Sequence, residues 1–194
     1  MASAAARVKL PLASATLALA CLVLVLAPSA LTDTLAYDRP AILSGQFWRL
    51  WTGHLVHFSL RHALADASVL FLLGLVLEPL LGTRRLCIAL AGGAALISVG
   101  LLLCVPDLRQ YRGASGLDML MAARTLMFLW RSGDIARPWL AFFAILMAFK
   151  ILAEAFDVSL GFAGSLGDVV VVWQAHLLGA LCGVFSASRP RPGV

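Results

Sequence analysis

Six apolar runs dominate the sequence, at residues 10–31, 62–81, 86–105, 115–130, 139–156 and 169–187. These runs are close to the roughly 20 residues that a helix needs to cross the hydrocarbon core of a bilayer. Inside lipid the backbone must pair its own polar groups, so such runs fold as helices. Charged residues make up only 13% of the 194, against about a quarter in a soluble domain. We therefore predict an all-α polytopic membrane protein, with residues 1–194 forming one bundle of six transmembrane helices.

The first run and the segment after it are open to more than one interpretation. Arg7 and Lys9 precede the run and Ala-Pro-Ser-Ala lies near its end, a pattern that also fits a cleaved signal peptide. Because more spans follow, we expect an uncleaved first helix. Residues 32–61 are too polar to span, and they carry Trp48 and Trp51 in the manner of interfacial aromatic anchors. We expect this first loop to lie in the membrane interface.

The basic residues predict the orientation of the bundle. With the N-terminus inside, eight basic residues are cytoplasmic: Arg7, Lys9, Arg84, Arg85, Arg131, Arg137, Arg189 and Arg191. Five are external: Arg39, Arg49, Arg61, Arg109 and Arg112. The remaining two, Arg124 and Lys150, lie within spans. This excess follows the positive-inside rule, so both termini are predicted to be cytoplasmic. Ser115, at the start of the fourth run, then faces the outside. The scattered positions of the basic residues argue against a nucleic-acid partner.

Metal and cofactor sites are not expected. The four cysteines lie singly within apolar runs, without the spacing of a disulfide framework or a metal site. His54, His57 and His62 are close in sequence, but their spacing is not that of a zinc motif. The sequence also shows no inverted repeat and no pair of broken helices, which are typical of transporters.

Ser115 is the candidate nucleophile. It lies between Gly113-Ala114 and Gly116, at the mouth of the fourth run. The glycines allow a tight turn and the close approach of another element. A serine in the first turn of a helix also lies among free N–H groups, which favour developing negative charge. The other interpretation is that Ser115 only caps the helix.

His176 in the sixth run is the candidate base. Gly179 and Gly183 follow it and form a small-xxx-small face, along which another helix could pack closely. Ser115 and Ala122 would give the fourth run a matching face. A Ser–His dyad between these runs would fit the pattern of a hydroxyl activated by a neighbouring base. From spacing alone, a purely structural helix–helix hydrogen bond is equally compatible.

The other ionisable residues in the runs form three groups. His62 and Asp66 are one helical turn apart and share a face, where His62 could donate to an oxyanion or simply belong to a polar helix end. Lys150 and Glu154 are four apart and are predicted to pair with each other. Arg124 is predicted to be neutralised by Glu78. Asp118, one turn after the serine, is expected either to orient a neighbouring group or to face water.

Several motifs together resemble the rhomboid family of intramembrane serine proteases. Residues 113–116 resemble the family's GxSG motif, and residues 175–179 its AHxxG motif. The segment from Trp48 to Thr52 resembles the WR motif of its first loop. His62 and Asp66 resemble its HxxxN motif, with Glu78 and Gly82 like the acid and glycine that close that helix. The resemblance runs from about Phe47 to Gly183 and implies a six-helix rhomboid-like bundle.

Within that family the sequence resembles most strongly the rhombosortase branch, in residues 53–57, Tyr111-Arg112, Lys150, Glu154 and residues 176–180. The resemblance implies a serine endopeptidase, a hydrolase without a cofactor, in the bacterial inner membrane. Its active site would open towards the periplasm. Its partners would be the lipid bilayer and membrane-anchored exported proteins, cleaved at a transmembrane or C-terminal GlyGly-type sorting segment.

The resemblance also implies roles for individual residues. Ser115 would be the nucleophile and His176 the general base and then acid, with His62 and the backbone N–H of Ser115 holding the oxyanion. Asp66 stands where rhomboids usually carry asparagine, and Met119 where many carry an aromatic ring. An ionised carboxylate cannot donate to an oxyanion. The alternative function is therefore a catalytically impaired rhomboid-like pseudoprotease that binds membrane segments without cutting them.

Overall fold

The computed structural model describes residues 10–156, 158 and 172–186, which are mostly helical. The elements are α1 Leu12–Leu24, α2 Ser29–Leu35, β1 Tyr37–Asp38, α3 Arg39–Leu43, α4 Arg49–Thr52, α5 Leu60–Leu81, α6 Thr83–Cys104, β2 Gln110–Tyr111, α7 Ser115–Ser132, α8 Arg137–Ala155 and α9 Trp173–Phe185. Within the described residues, α5, α6 and α8 are long and apolar enough to cross a membrane, and α1 and α9 are shorter apolar helices. The helical class is confirmed, whereas the count of six crossings stays a prediction.

The first apolar run is not one continuous helix. α1 ends at Leu24, seven residues before the predicted end, and α2 begins at Ser29 after a turn. Pro28 explains the break, because proline lacks an N–H donor and disfavours helical geometry in the residue before it. At the other end of the chain, parts of the predicted run 169–187 lie outside the described residues, and α9 begins at Trp173.

Glu78 of α5 fixes the start of α1. Its carboxylate accepts hydrogen bonds from the backbone N–H groups of Ala13 (3.0 Å) and Ser14 (3.2 Å). These donors lack partners within their own helix, and negative charge is favoured at a helix N-terminus. The predicted pairing of Glu78 with Arg124 is therefore wrong. The Arg124 guanidinium instead donates to the hydroxyl of Ser186 at 2.8 Å.

The first loop folds into a compact layer held by a buried arginine. The guanidinium of Arg49 donates to the backbone oxygens of Asp33 and Ala36, both at 2.7 Å, and the residue is only 7% exposed. Trp48 and Trp51 on either side remain exposed. Two indole rings flanking a buried cation fit an interfacial anchor, and the position of this loop in the membrane interface stays a prediction.

A two-residue ladder joins this loop to the segment that enters α7. β1 pairs with β2 in antiparallel register, with Tyr37 opposite Tyr111. Two residues further on, the N–H of Gly113 donates to the carbonyl of Gly53 at 3.2 Å. These bonds fix the backbone directly before Ser115 against the first loop, so the start of α7 is held from outside its own helix.

α7 and α9 pack closely through glycines. A Cβ atom added at Gly179 would lie 1.9 Å from the carbonyl oxygen of Gly116, and one added at Gly183 would lie 2.3 Å from that of Leu120. Both distances are far below van der Waals contact. The absence of side chains at Gly179 and Gly183 is therefore what allows the two helices to approach.

The face that α7 presents differs from the predicted one. The structure places Gly116 and Ala123 against α9, rather than Ser115 and Ala122. Both pairs are seven residues apart, so the spacing of the face was right and its position was wrong by one residue. This rotation leaves Ser115 beside the contact face, where its hydroxyl can reach a side chain of the partner helix.

Candidate active site

Ser115 is the first residue of α7, and its position depends on the unusual backbone of Gly113. Gly113 has φ +135°, a region that side-chain-bearing residues rarely adopt. A Cβ atom at Gly113 would lie 2.9 Å from the imidazole of His62. The turn before α7 thus requires glycine twice over, for its conformation and for the space that His62 occupies.

The structure brings Ser115 and His176 together. Nε2 of His176 lies 2.8 Å from Oγ of Ser115, within hydrogen-bond distance. His176 is 4% exposed and lies one turn after the first residue of α9. Both residues therefore belong to the same end of the bundle, at the N-termini of α7 and α9.

Glu154 contacts His176, a contact that the sequence analysis did not predict. Its carboxylate oxygen Oε2 lies 2.6 Å from Nδ1 of His176, and its other oxygen pairs with the ammonium group of Lys150. The predicted Lys150–Glu154 pair is present, but Glu154 also contacts His176 through its second carboxylate oxygen. An available signal was the presence of an acid within an apolar run, since such residues are expensive in a membrane and usually face the bundle interior.

Asp66 is surrounded by N–H groups rather than left free. Its oxygen Oδ2 accepts from the backbone N–H of Ala114 at 2.7 Å. The same oxygen lies 3.1 Å from Nε2 of His57 and 3.4 Å from Nε2 of His62. Asp66 and both histidines are buried. The carboxylate therefore connects the first loop, α5 and the residue directly before Ser115.

The same three side chains form a group that could hold a metal ion. The potential ligand atoms of His57, His62 and Asp66 all lie within 4.8 Å of one another. Within the described part of the chain, Nδ1 of each of these two histidines has no hydrogen-bond partner. Nε2 of His57 is within hydrogen-bond distance of Asp66, and Nε2 of His62 makes a longer contact with the same oxygen. The sequence-based expectation that the chain binds no metal stays a prediction.

His54 lies apart from this group and faces α6. Its Nε2 lies 3.1 Å from the carbonyl oxygen of Ala94 and 3.0 Å from the hydroxyl of Ser98. Burial lowers the pKa of His54 to about 4. Its ring also packs edge-on against Tyr111, at 5.4 Å between ring centroids. His54 therefore joins the first loop to α6 and is not part of the group formed by His57, His62 and Asp66.

Asp118 and Gly116 complete the surroundings of Ser115 on α7. Asp118 is 6% exposed, and its Oδ1 has no hydrogen-bond partner in the part of the chain that the structure describes. A Cβ atom at Gly116 would lie 3.1 Å from the carbonyl oxygen of Ala175, the residue before His176. Gly116 thus sets the distance between the two helices at the level of the Ser115–His176 contact.

Comparison with known proteins agrees with this geometry. A family profile described as the rhomboid domain matches residues 44–189, which is most of the chain and includes both Ser115 and His176. The chain is also similar to "Putative rhomboid protease YdcA" of Bacillus subtilis strain 168. The two are 28% identical over 157 residues, covering 80% of this chain and 73% of that protein. The chain belongs to the rhomboid family, whose members are generally intramembrane serine proteases.

Proposed function

We propose that the protein is an intramembrane serine endopeptidase with Ser115 as nucleophile and His176 as general base. The observation that carries this proposal is the 2.8 Å distance between Oγ of Ser115 and Nε2 of His176. A hydroxyl and an imidazole at this distance form the nucleophile–base pair that acyl-transfer enzymes use. Such a pair near one end of a membrane bundle can meet both a lipid-embedded substrate and water.

The reaction follows from the positions of the donors. Oγ of Ser115 attacks the scissile carbonyl while Nε2 of His176 takes its proton, and the imidazolium then protonates the leaving amine. The negative charge of the tetrahedral intermediate falls near the N-terminus of α7, where the N–H of Ser115 is directed. Nε2 of His62 is a second candidate donor, because its 3.4 Å contact with Asp66 is long and little is lost when it turns to an oxyanion. Water then hydrolyses the acyl-enzyme.

The contacts of Asp66 favour the protease over the pseudoprotease. The pseudoprotease was suggested by a carboxylate at a position where an amide should donate. Oδ2 of Asp66 accepts from Ala114 and faces His57 and His62, so its negative charge is matched by N–H groups. In this arrangement the carboxylate holds the first loop and the residue before Ser115 in place, which supports catalysis rather than opposing it.

The resemblance to rhombosortases supports a substrate and a location. We infer that the substrate is an exported protein anchored by a C-terminal GlyGly-type sorting helix. The enzyme would lie in the bacterial inner membrane as a multi-pass protein with its active site open to the periplasm, the side that the basic residues assign to Ser115.

Cleavage of paired reporters tests the proposal. The purified protein is reconstituted with two membrane reporters that differ only in whether the GlyGly motif of the tail is kept or replaced by Ala-Ala. We expect cleavage of the GlyGly reporter by the wild type and by Ser132→Ala, a serine at the far end of α7. Ser115→Ala and His176→Ala should be inactive although folded. Wild-type rates in Ser115→Ala would refute the proposed protease, and equal cleavage of both reporters would refute only the sorting-tail substrate.

A further inference from the structure

We propose that Glu154 is a positioning residue that completes a Ser115–His176–Glu154 triad, with Lys150 as its counter-ion. The inference rests on the proposed protease function, and it departs from the dyad that the family resemblance implies. It is carried by three contacts in one line: Lys150 to Glu154, Glu154 to Nδ1 of His176, and Nε2 of His176 to Ser115.

Only one placement of protons gives His176 a free base while keeping both of its hydrogen bonds. An ionised carboxylate can only accept, so Glu154 requires a proton on Nδ1 of His176 at the 2.6 Å contact. The neutral ring then carries a lone pair on Nε2, 2.8 Å from Oγ of Ser115. That lone pair accepts the hydroxyl proton during attack. If Glu154 were protonated, it would donate to Nδ1 and force the proton onto Nε2, which could not act as a base.

Lys150 explains how Glu154 remains ionised. The Glu154 side chain is 4% exposed, and a lone carboxylate at such a site would be strongly disfavoured. The ammonium group of Lys150 lies on the carboxylate oxygen that does not face His176. Its positive charge stabilises the negative charge of Glu154 and leaves the second oxygen for the imidazole. This division of the two oxygens is what a triad acid requires.

A purely structural ion pair would not need this geometry. The Lys150 side chain is 40% exposed, so its ammonium can reach water or headgroups on its own flexible stem. Lys150 therefore gives no reason for Glu154 to be buried. The burial of Glu154 against His176 is explained by the imidazole. The order Ser115, Glu154, His176 along the chain is also that of the Ser…Asp/Glu…His triads in α/β-hydrolases, reached here on unrelated helices.

Three variants separate positioning from charge neutralisation. Replacing the triad acid by its amide lowers kcat by about 10⁴-fold in a soluble serine protease, and we expect Glu154→Gln to lose between about 10²- and 10⁴-fold in kcat with little change in KM. Glu154→Asp keeps a carboxylate and should regain part of this rate. The double variant Lys150→Met/Glu154→Gln leaves no unpaired charge. It should match wild-type stability and remain as inactive as Glu154→Gln.

The histidine tautomer provides a readout that is independent of activity. The chain has four histidines, so ¹⁵N-histidine labelling gives few signals, and His176→Ala identifies the one that matters. In the wild type we expect the proton of His176 on Nδ1, with a strongly deshielded signal from its bond to Glu154. In Glu154→Gln the amide N–H₂ should donate to Nδ1, as in the amide variant of the soluble triad, so this signal should vanish and the protonated Nε2 form should appear.

The outcomes distinguish the two proposals. If the wild type cleaves its reporter, and both Glu154→Gln and the double variant cleave at the wild-type rate, Glu154 is structural and the dyad stands. A wild-type proton on Nε2 of His176 would likewise overturn the positioning role. If the wild type cleaves nothing and fails to react with a serine-directed probe, the protease proposal fails by itself, and the tautomer measurement still tests Glu154.

Discussion

Gly179→Ala tests whether the approach of α7 and α9 creates the catalytic contact. The added Cβ would lie 1.9 Å from the carbonyl oxygen of Gly116 and 2.8 Å from its carbonyl carbon. Both are backbone atoms, so no side-chain rotation can relieve the overlap. Normal contact between such atoms needs about 3.4 Å, and the helices must therefore separate by roughly 1.5 Å at this level.

That separation acts directly on the reacting atoms. Gly116 is bonded to Ser115, and Gly179 lies one turn after His176, so the 2.8 Å Oγ–Nε2 distance should grow to about 4 Å, beyond hydrogen-bond range. A displacement of about 1 Å from productive geometry costs on the order of 10²-fold in rate. Overpacking should also lower the free energy of unfolding by about 1–3 kcal/mol.

The assay compares reporter cleavage and thermal unfolding of Gly179→Ala with those of Gly92→Ala in the same detergent. Gly92 is also helical, but a Cβ atom there has no neighbour within 4 Å, so the same substitution should leave the rate unchanged. The helix propensity of alanine could raise stability slightly at that control position. Wild-type cleavage by Gly179→Ala would show that the close packing does not set the distance between serine and histidine.

Two further predictions concern groups around the site. Asp66→Asn keeps an oxygen for the N–H groups of Ala114, His57 and His62 and should not raise the rate of cleavage. Asp66→Ala leaves a buried N–H unpaired and should lower the free energy of unfolding by about 1–3 kcal/mol, measured by chemical denaturation. Faster cleavage by Asp66→Asn would contradict this role of Asp66. The pKa of His54 falls from 6.5 to about 4 on folding, so the unfolded chain binds more protons between these values, and stability that is complete above pH 6.5 should decline by about 3 kcal/mol towards pH 4. His54→Gln should flatten this decline in unfolding curves recorded from pH 7 to pH 4, and an unchanged slope would refute the assignment.

Local sequence patterns located the two candidate catalytic residues because each has a local signature. Ser115 begins an apolar run between small residues, and the glycines after His176 mark a close-packing face. Lys150 and Glu154 also follow a local rule, the i,i+4 ion pair, and that rule gave an incomplete answer. The contact of Glu154 with His176 depends on how α8 lies against α9, which no periodicity within either helix encodes.

The errors in the fold have related causes. Glu78 was matched with a cation because charge alone was considered, while the structure uses it to satisfy backbone N–H groups of α1. A helix terminus is an electrostatic partner that composition does not reveal. The early end of α1 could have been predicted from the sequence, because Pro28 lies within the predicted run and interrupts the helix.

Reaction of Ser115 with a fluorophosphonate probe shows, without any substrate, whether its hydroxyl is activated. The purified protein, Ser115→Ala and His176→Ala are treated in detergent, and the labelled peptide of each is identified by mass spectrometry. We expect a single adduct on Ser115 in the wild type and none at that position in either variant. A folded wild type that remains unlabelled, or equal labelling of wild type and Ser115→Ala, would contradict it.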